Sequence, residues 1–119
     1  MATTSHNARE HRHDIAPARP LVGLVLGAGG IRGCAHAGVI HVLHQANVPI
    51  DLVVGASTGA IFGLALAGGL SPEHIARVAQ EATPLDFMRF YAGRLRAGRH
   101  NPIARMLHDA AGQTHLNEE

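Results

Sequence analysis

Val53-Val54-Gly55-Ala56-Ser57-Thr58-Gly59-Ala60-Ile61 decides how this chain is read. An apolar run leads in from Leu52, and small apolar residues with helical character follow from Ala60 to Ala67. Between them Gly55, Ser57 and Gly59 spell Gly-x-Ser-x-Gly. A nucleophile elbow needs this order: a strand, a sharp turn that strains one serine, then a helix. Gly55 and Gly59 carry no Cβ, so strand and helix can approach closely around the serine. The helix start lies beside the Ser57 hydroxyl, where its dipole favours a developing oxyanion. Ser57 is therefore the candidate nucleophile.

Upstream, Leu21 to Leu26 is a continuous apolar run, too short for a helix. It suits a strand buried on both faces, as in a parallel sheet. Gly27-Ala28-Gly29-Gly30-Ile31-Arg32-Gly33 follows as a loop. A helix is then expected over Cys34 to Ala46, with an apolar stripe of Ala35, Val39, Val42, Leu43 and Ala46. His36, His41 and His44 fall mostly off that stripe and read as solvent-facing. Asn47 tolerates the left-handed conformation and Pro49 forbids continuation, so the helix ends there. Ile50 to Val54 is the second strand. Strand, helix and strand with this connection imply a right-handed parallel unit.

Downstream, the elbow helix stops at Gly68-Gly69. Ser71-Pro72 and Thr83-Pro84 are two N-caps, each followed by a first-turn proline. Ile75, Val78, Ala79 and Ala82 line one face of the first of these helices. Phe87, Phe90 and Tyr91 form an aromatic cluster read as core packing. Residues Gly93 to His100 read as a basic, glycine-containing loop. Asn101-Pro102 opens a last helix carrying Ile103, Met106, Leu107 and Ala110, closed by Gly112. Thr114 to Glu119 is a polar tail. Two strands alone do not make a stable sheet. The chain therefore reads as the opening of an α/β domain whose later strands are missing.

With 119 residues there is one small domain at most, or part of a larger one. Hydrophobic residues make up 46% but aromatics only 3%, so the core must be aliphatic and alanine-rich. A net charge of +1 gives no electrostatic case for a nucleic-acid partner. The single cysteine, Cys34, excludes an intrachain disulfide and fits a reducing, cytoplasmic compartment. Residues 1–20 are polar, lack hydrophobic periodicity and read as a disordered leader. They contain no apolar stretch of the kind a secretory signal carries. His11-Arg12-His13 could touch a metal, but reads as part of a solvated tail.

The first glycine loop admits several readings. A dinucleotide site wants Gly-x-Gly-x-x-Gly, whereas here Arg32 follows Gly29 at that spacing and Gly33 comes one place late. Its acidic ribose ligand should end the second strand, yet Asp51 begins it. A phosphate-binding P-loop fails, because no Lys-Ser or Lys-Thr follows. A tight turn without a ligand remains open. The reading that uses both turns places them at the C-terminal ends of adjacent parallel strands. One supplies a nucleophile and the other a nest of backbone N–H donors for an oxyanion.

The run Gly23-Leu-Val-Leu-Gly-Ala-Gly-Gly-Ile-Arg-Gly-Cys-Ala-His-Ala-Gly-Val-Ile40, followed by Gly55-Ala-Ser-Thr-Gly59, resembles the patatin-like phospholipases. The resemblance is strong over Leu21 to Gly69 and covers the helical remainder more loosely. It implies an α/β/α sandwich with a mainly parallel sheet, and residues 21–119 as the N-terminal part of such a domain. It further implies a Ser-Asp dyad without catalytic histidine, a lipid or acyl-ester substrate, peripheral membrane contact, and no cofactor or metal. By this resemblance Ser57 is the nucleophile, and Gly29, Gly30, Arg32 and Gly33 belong to the oxyanion loop. Gly55 and Gly59 belong to the elbow. Two departures stand out. Ala28 replaces the usual first loop glycine, which a negative φ would tolerate. The family's aspartate sits in Asp-Gly-Gly or Asp-Gly-Ala, whereas Asp14, Asp51, Asp86 and Asp109 precede Ile, Leu, Phe and Ala. The catalytic aspartate is thus not in this chain, which reads as truncated after the elbow helix and the helices that follow it. Such a chain should be nearly inactive alone.

A reading from another class is a small non-enzymatic membrane protein. Residues 52–72 carry no charged residue, and Gly55, Gly59 and Gly63 form a Gly-xxx-Gly-xxx-Gly series. Against it stand the β-like Leu-Val-Val start, Gly68-Gly69, and a first glycine loop left unexplained. His36, His41 and His44 have loose metal-like spacing, but no Cys, Asp or Glu partners nearby.

Overall fold

The computed structural model describes residues 19–93 and 100–116. The leader, apart from Arg19 and Pro20, lies outside the described residues, as do His11, His13, Asp14 and most of the expected basic loop. The chain runs β1 (Gly23–Leu26), a 3-10 turn (Gly30–Cys34), α1 (Ala35–Gln45) and β2 (Leu52–Gly55). It continues as α2 (Thr58–Ala67), α3 (Pro72–Glu81), α4 (Pro84–Tyr91) and α5 (Pro102–Leu116). The architecture is α/β: a parallel two-stranded sheet and mostly helices.

β1 and β2 pair in parallel, Gly23 opposite Leu52 and Leu26 opposite Gly55. The N-terminal end of the sheet is fastened by Asp51. Its carboxylate accepts the Val22 N–H at 2.8 Å and both Arg19 guanidinium nitrogens at 2.8 and 2.9 Å. The hydrogen bonds and charge of Arg19, with the Val22 N–H, pull the Asp51 carboxyl down to about 2.

α2 packs on the sheet, bringing Gly63 against Val53 and Leu26. The opposite face is open, with Val25 75% and Val54 52% exposed. The expectation of a strand buried on both faces is thus met on one side only, because the described helix layer lies on that side. The core sits mainly between helices, where Ile40, Phe62, Ile75, Ile103 and Met106 are fully buried. The capping expectations hold. The Ser71 hydroxyl accepts the His74 N–H at 3.1 Å. Thr83 and Asp86 form a reciprocal capping box, whose hydrogen bonds lower the Asp86 carboxyl. Asn101 accepts from the N–H groups of Ile103 and Ala104 to start α5. Asn47 takes φ 54°, as its position after α1 requires.

Four expectations are corrected. α1 buries Ala37 and Ile40, while Ala35, Val39, Val42 and Ala46 of the expected stripe are exposed. The helix is apolar on two sides, and its neighbours, not its periodicity, select the inner one. Consequently His36 and His41 are half-buried, and only His44 of the three is exposed. α5 does not stop at Gly112. Glycine in a helix interior costs about 1 kcal/mol relative to alanine, which weakens a helix without ending it. The membrane helix over residues 52–72 does not exist, since that stretch divides into β2, a turn at Ser57, α2 and the cap of α3. Gly55 is on the strand while Gly59 and Gly63 are on the helix. No helix among the described residues is long and apolar enough to cross a membrane.

Candidate active site

Each strand delivers one glycine turn to the same edge of the molecule. After β2 the backbone reverses at Ser57, with φ 51° and ψ −121°. Such a conformation in a residue with a Cβ costs on the order of 1–3 kcal/mol and persists only where the surroundings impose it. They do so here. Ala56 donates to the Leu26 carbonyl at 3.0 Å, while Ala60 and Ile61 donate to the Ser57 carbonyl at 2.9 and 3.2 Å. A Cβ on Gly59 would overlap the Leu26 carbonyl, and one on Gly55 would lie 2.6 Å from Ala60 Cα. Only glycine lets α2 start directly against β1 and β2.

Ser57 occupies the N-cap of α2, yet its side chain makes no capping bond. Oγ is exposed and lies 3.0 Å from the Tyr91 hydroxyl, at the C-terminal end of α4. Tyr91 is thus not core packing, although its ring does meet Phe90 edge to face at 5.6 Å. One signal for it is readable in the sequence: a lone phenol within an otherwise apolar aromatic cluster, since a tyrosine hydroxyl in such a place seeks a partner.

After β1 the glycine loop turns through Gly30, whose φ is +54°. The Arg32 N–H donates to the Gly29 carbonyl at 3.1 Å, opening the 3-10 turn. Ala28 does not take a positive φ, so its methyl group is tolerated. Two side chains hold the loop from outside. The Thr58 hydroxyl donates to the Gly30 carbonyl at 2.8 Å, and His36 Nε2–H donates to the Gly27 carbonyl at 2.7 Å. Gly33 lies so close to Thr58 that a Cβ would overlap its side chain. The two turns are therefore in direct contact, through Thr58 with Gly30 and Gly33 and through Gly59 with Leu26. Arg32 is exposed, and among the described residues it has no ion-pair partner.

No described carboxylate reaches Ser57. Asp51 is held by Arg19, Asp86 caps α4, and Asp109 lies 3.9 Å from His108. Burial pushes the Cys34 thiol up from its ordinary value. Among the described residues no group of His, Cys, Asp and Glu is arranged to hold a metal ion.

The arrangement sets an exposed serine with a positive φ at a helix start beside a glycine loop. A family model described as patatin-like phospholipase matches residues 24–115. Lysophospholipase NTE1 of Mycosarcoma maydis is 45% identical over 74 residues, covering 62% of this chain and 4% of the relative. Patatin-like phospholipase domain-containing protein 6 of Mus musculus is 42% identical over 81 residues, 65% of this chain and 6% of the relative. Neuropathy target esterase sws of Drosophila persimilis is 46% identical over 61 residues, 51% of this chain and 4% of the relative. The chain thus spans a small part of the curated relatives it matches. No solved structure matches it. On the extent of the family match and the two joined turns, this chain belongs to the patatin-like phospholipase family.

Proposed function

We propose that this chain supplies the nucleophile and the oxyanion loop of a serine lipid acyl hydrolase. The observation that carries the reading is the backbone of Ser57: a positive φ at a strand-to-helix turn, with Oγ exposed instead of capping the helix. Ser57 Oγ attacks an ester carbonyl of a lipid, and an aspartate takes its proton. Backbone N–H groups around Gly29, Gly30 and Gly33, with Arg32 beside them, stabilise the tetrahedral oxyanion. The intermediate collapses as the aspartate returns the proton to the departing lipid alcohol, and water then attacks the acyl-serine, freeing the carboxylic acid and restoring the Ser57 hydroxyl. Each oxyanion donor contributes on the order of 10²–10³ in rate. Support for a lipid substrate comes from the family and from relatives named lysophospholipases. Ile31 on the 3-10 turn and Met88 on α4 are exposed apolar groups on elements that touch one another, which suits peripheral contact with a cytoplasmic membrane surface. The reaction uses neither cofactor nor metal.

None of the described aspartates is placed to act as the base, so the chain alone is expected to turn over esters barely above background. Intact mass after incubation with a fluorophosphonate tests the reading. Slow phosphonylation that disappears in Ser57→Ala is the expected result. Labelling that survives in Ser57→Ala puts the nucleophile elsewhere, and rapid ester turnover by the chain alone overturns the need for a further base.

A further inference from the structure

Tyr91 is the only tyrosine of the chain, and its hydroxyl touches two others: Ser57 Oγ at 3.0 Å and Thr58 Oγ1 at 3.3 Å. A hydroxyl has one proton to donate, so proton counting orders the network. The Thr58 proton is committed to the Gly30 carbonyl at 2.8 Å. In the contact between Thr58 and Tyr91, the phenol must therefore be the donor. Having spent its proton there, Tyr91 can only accept from Ser57. We propose that Tyr91 is a positioning residue for Ser57, receiving the serine hydroxyl in a directed chain that runs Ser57, Tyr91, Thr58, Gly30 carbonyl. For its catalytic meaning this rests on the reading of Ser57 as nucleophile; the hydroxyl chain itself does not.

The arrangement fixes the Ser57 rotamer, since the proton points at Tyr91 and leaves the Oγ lone pairs turned away from the phenol. It also joins the serine to the loop through one residue, Thr58, which is fully buried and cannot reorient freely. Once Oγ has lost its proton to a base or carries an acyl group, it can only accept. Tyr91 must then turn its own proton toward Oγ and release Thr58. The first link of the chain thus reverses when Ser57 is modified, while the bond from Thr58 to Gly30 stays.

Because the chain has one tyrosine and no tryptophan, the Raman doublet of the phenol reports this hydroxyl alone. The doublet distinguishes a phenol that accepts from one that only donates. Wild type is expected to show both roles. Ser57→Ala should move the doublet toward a pure donor, Thr58→Val toward a pure acceptor, and Thr58→Ser should restore the wild-type ratio. A doublet that Ser57→Ala leaves unmoved, or moves toward the acceptor side, overturns the proposal. Far-ultraviolet circular dichroism of each variant confirms its fold, and Ser57→Ala, an exposed site, keeps the test decisive if Thr58→Val unfolds. A shifted doublet together with a Ser57 that resists fluorophosphonates would remove the nucleophile reading and leave the hydroxyl chain standing.

Discussion

The two glycine turns stand side by side at the ends of adjacent strands, yet they are held in different ways. The elbow after β2 is locked by backbone packing, since α2 begins in contact with the Leu26 carbonyl and no side chain could fit between. Its unusual conformation falls on a serine. The loop after β1 is exposed from Gly27 to Ile31 and is held by hydroxyl and imidazole donors reaching in from α2 and α1. Its unusual conformation falls on Gly30, which adopts it at little cost. A rigid serine turn and a more open glycine loop thus share one edge, because strain is placed where packing can oppose it.

Breaking the elbow should have the largest effect. Gly59→Ala drives a methyl group into backbone on β1, which cannot move without opening the sheet, and about 3 kcal/mol or more of stability should be lost. Urea denaturation would measure it, and a loss below about 1 kcal/mol would mean that α2 does not start where described. Gly33→Ala comes next, because its methyl group meets the buried Thr58 side chain. A loss of about 2 kcal/mol is expected, and it should be coupled to Thr58 substitutions in a double-mutant cycle. Gly30→Ala has open space around it and suffers only from its φ of +54°, so thermal unfolding should show about 1 kcal/mol. Equal losses at Gly59 and Gly30 would erase the contrast.

The smallest effect concerns the far end of the sheet. The Asp51 carboxyl has a folded value of about 2 against an ordinary 3.8, so folding favours its ionised form. Its contribution is complete above about pH 4 and is lost as pH falls toward 2. Acid titration of stability should show this loss, and Asp51→Asn should flatten the curve in that window. The pair is largely solvated, so the change should be modest and should shrink further in high salt.

Much of this was legible in the sequence, because the signals were local. Gly55, Ser57 and Gly59 marked the elbow, Ser71, Thr83 and Asn101 marked helix starts, and Asn47 marked a helix end. The face of α1 was not legible. Its apolar residues surround the axis, and only the packing of α3 against it shows why Ile40 points inward. Tyr91 was hidden for another reason. It lies 34 residues from Ser57, and no periodicity connects the end of α4 to the turn after β2. The run of α5 through Gly112 likewise follows from tertiary contacts of Ile103, Met106 and Ala110, which outweigh one glycine.

The contact between Gly59 and the Leu26 carbonyl also bears on how the chain folds. Parallel pairing joins positions 29 residues apart, so it must await the connection through α1 and is open to misalignment while it forms. A slip of one residue would bring Thr58 or Ala60 to the Leu26 carbonyl in place of Gly59, and either Cβ would keep α2 from docking. The glycine contact thus discriminates between registers, since the helix can seat this closely only on the strand pairing that brings Gly59 to that carbonyl.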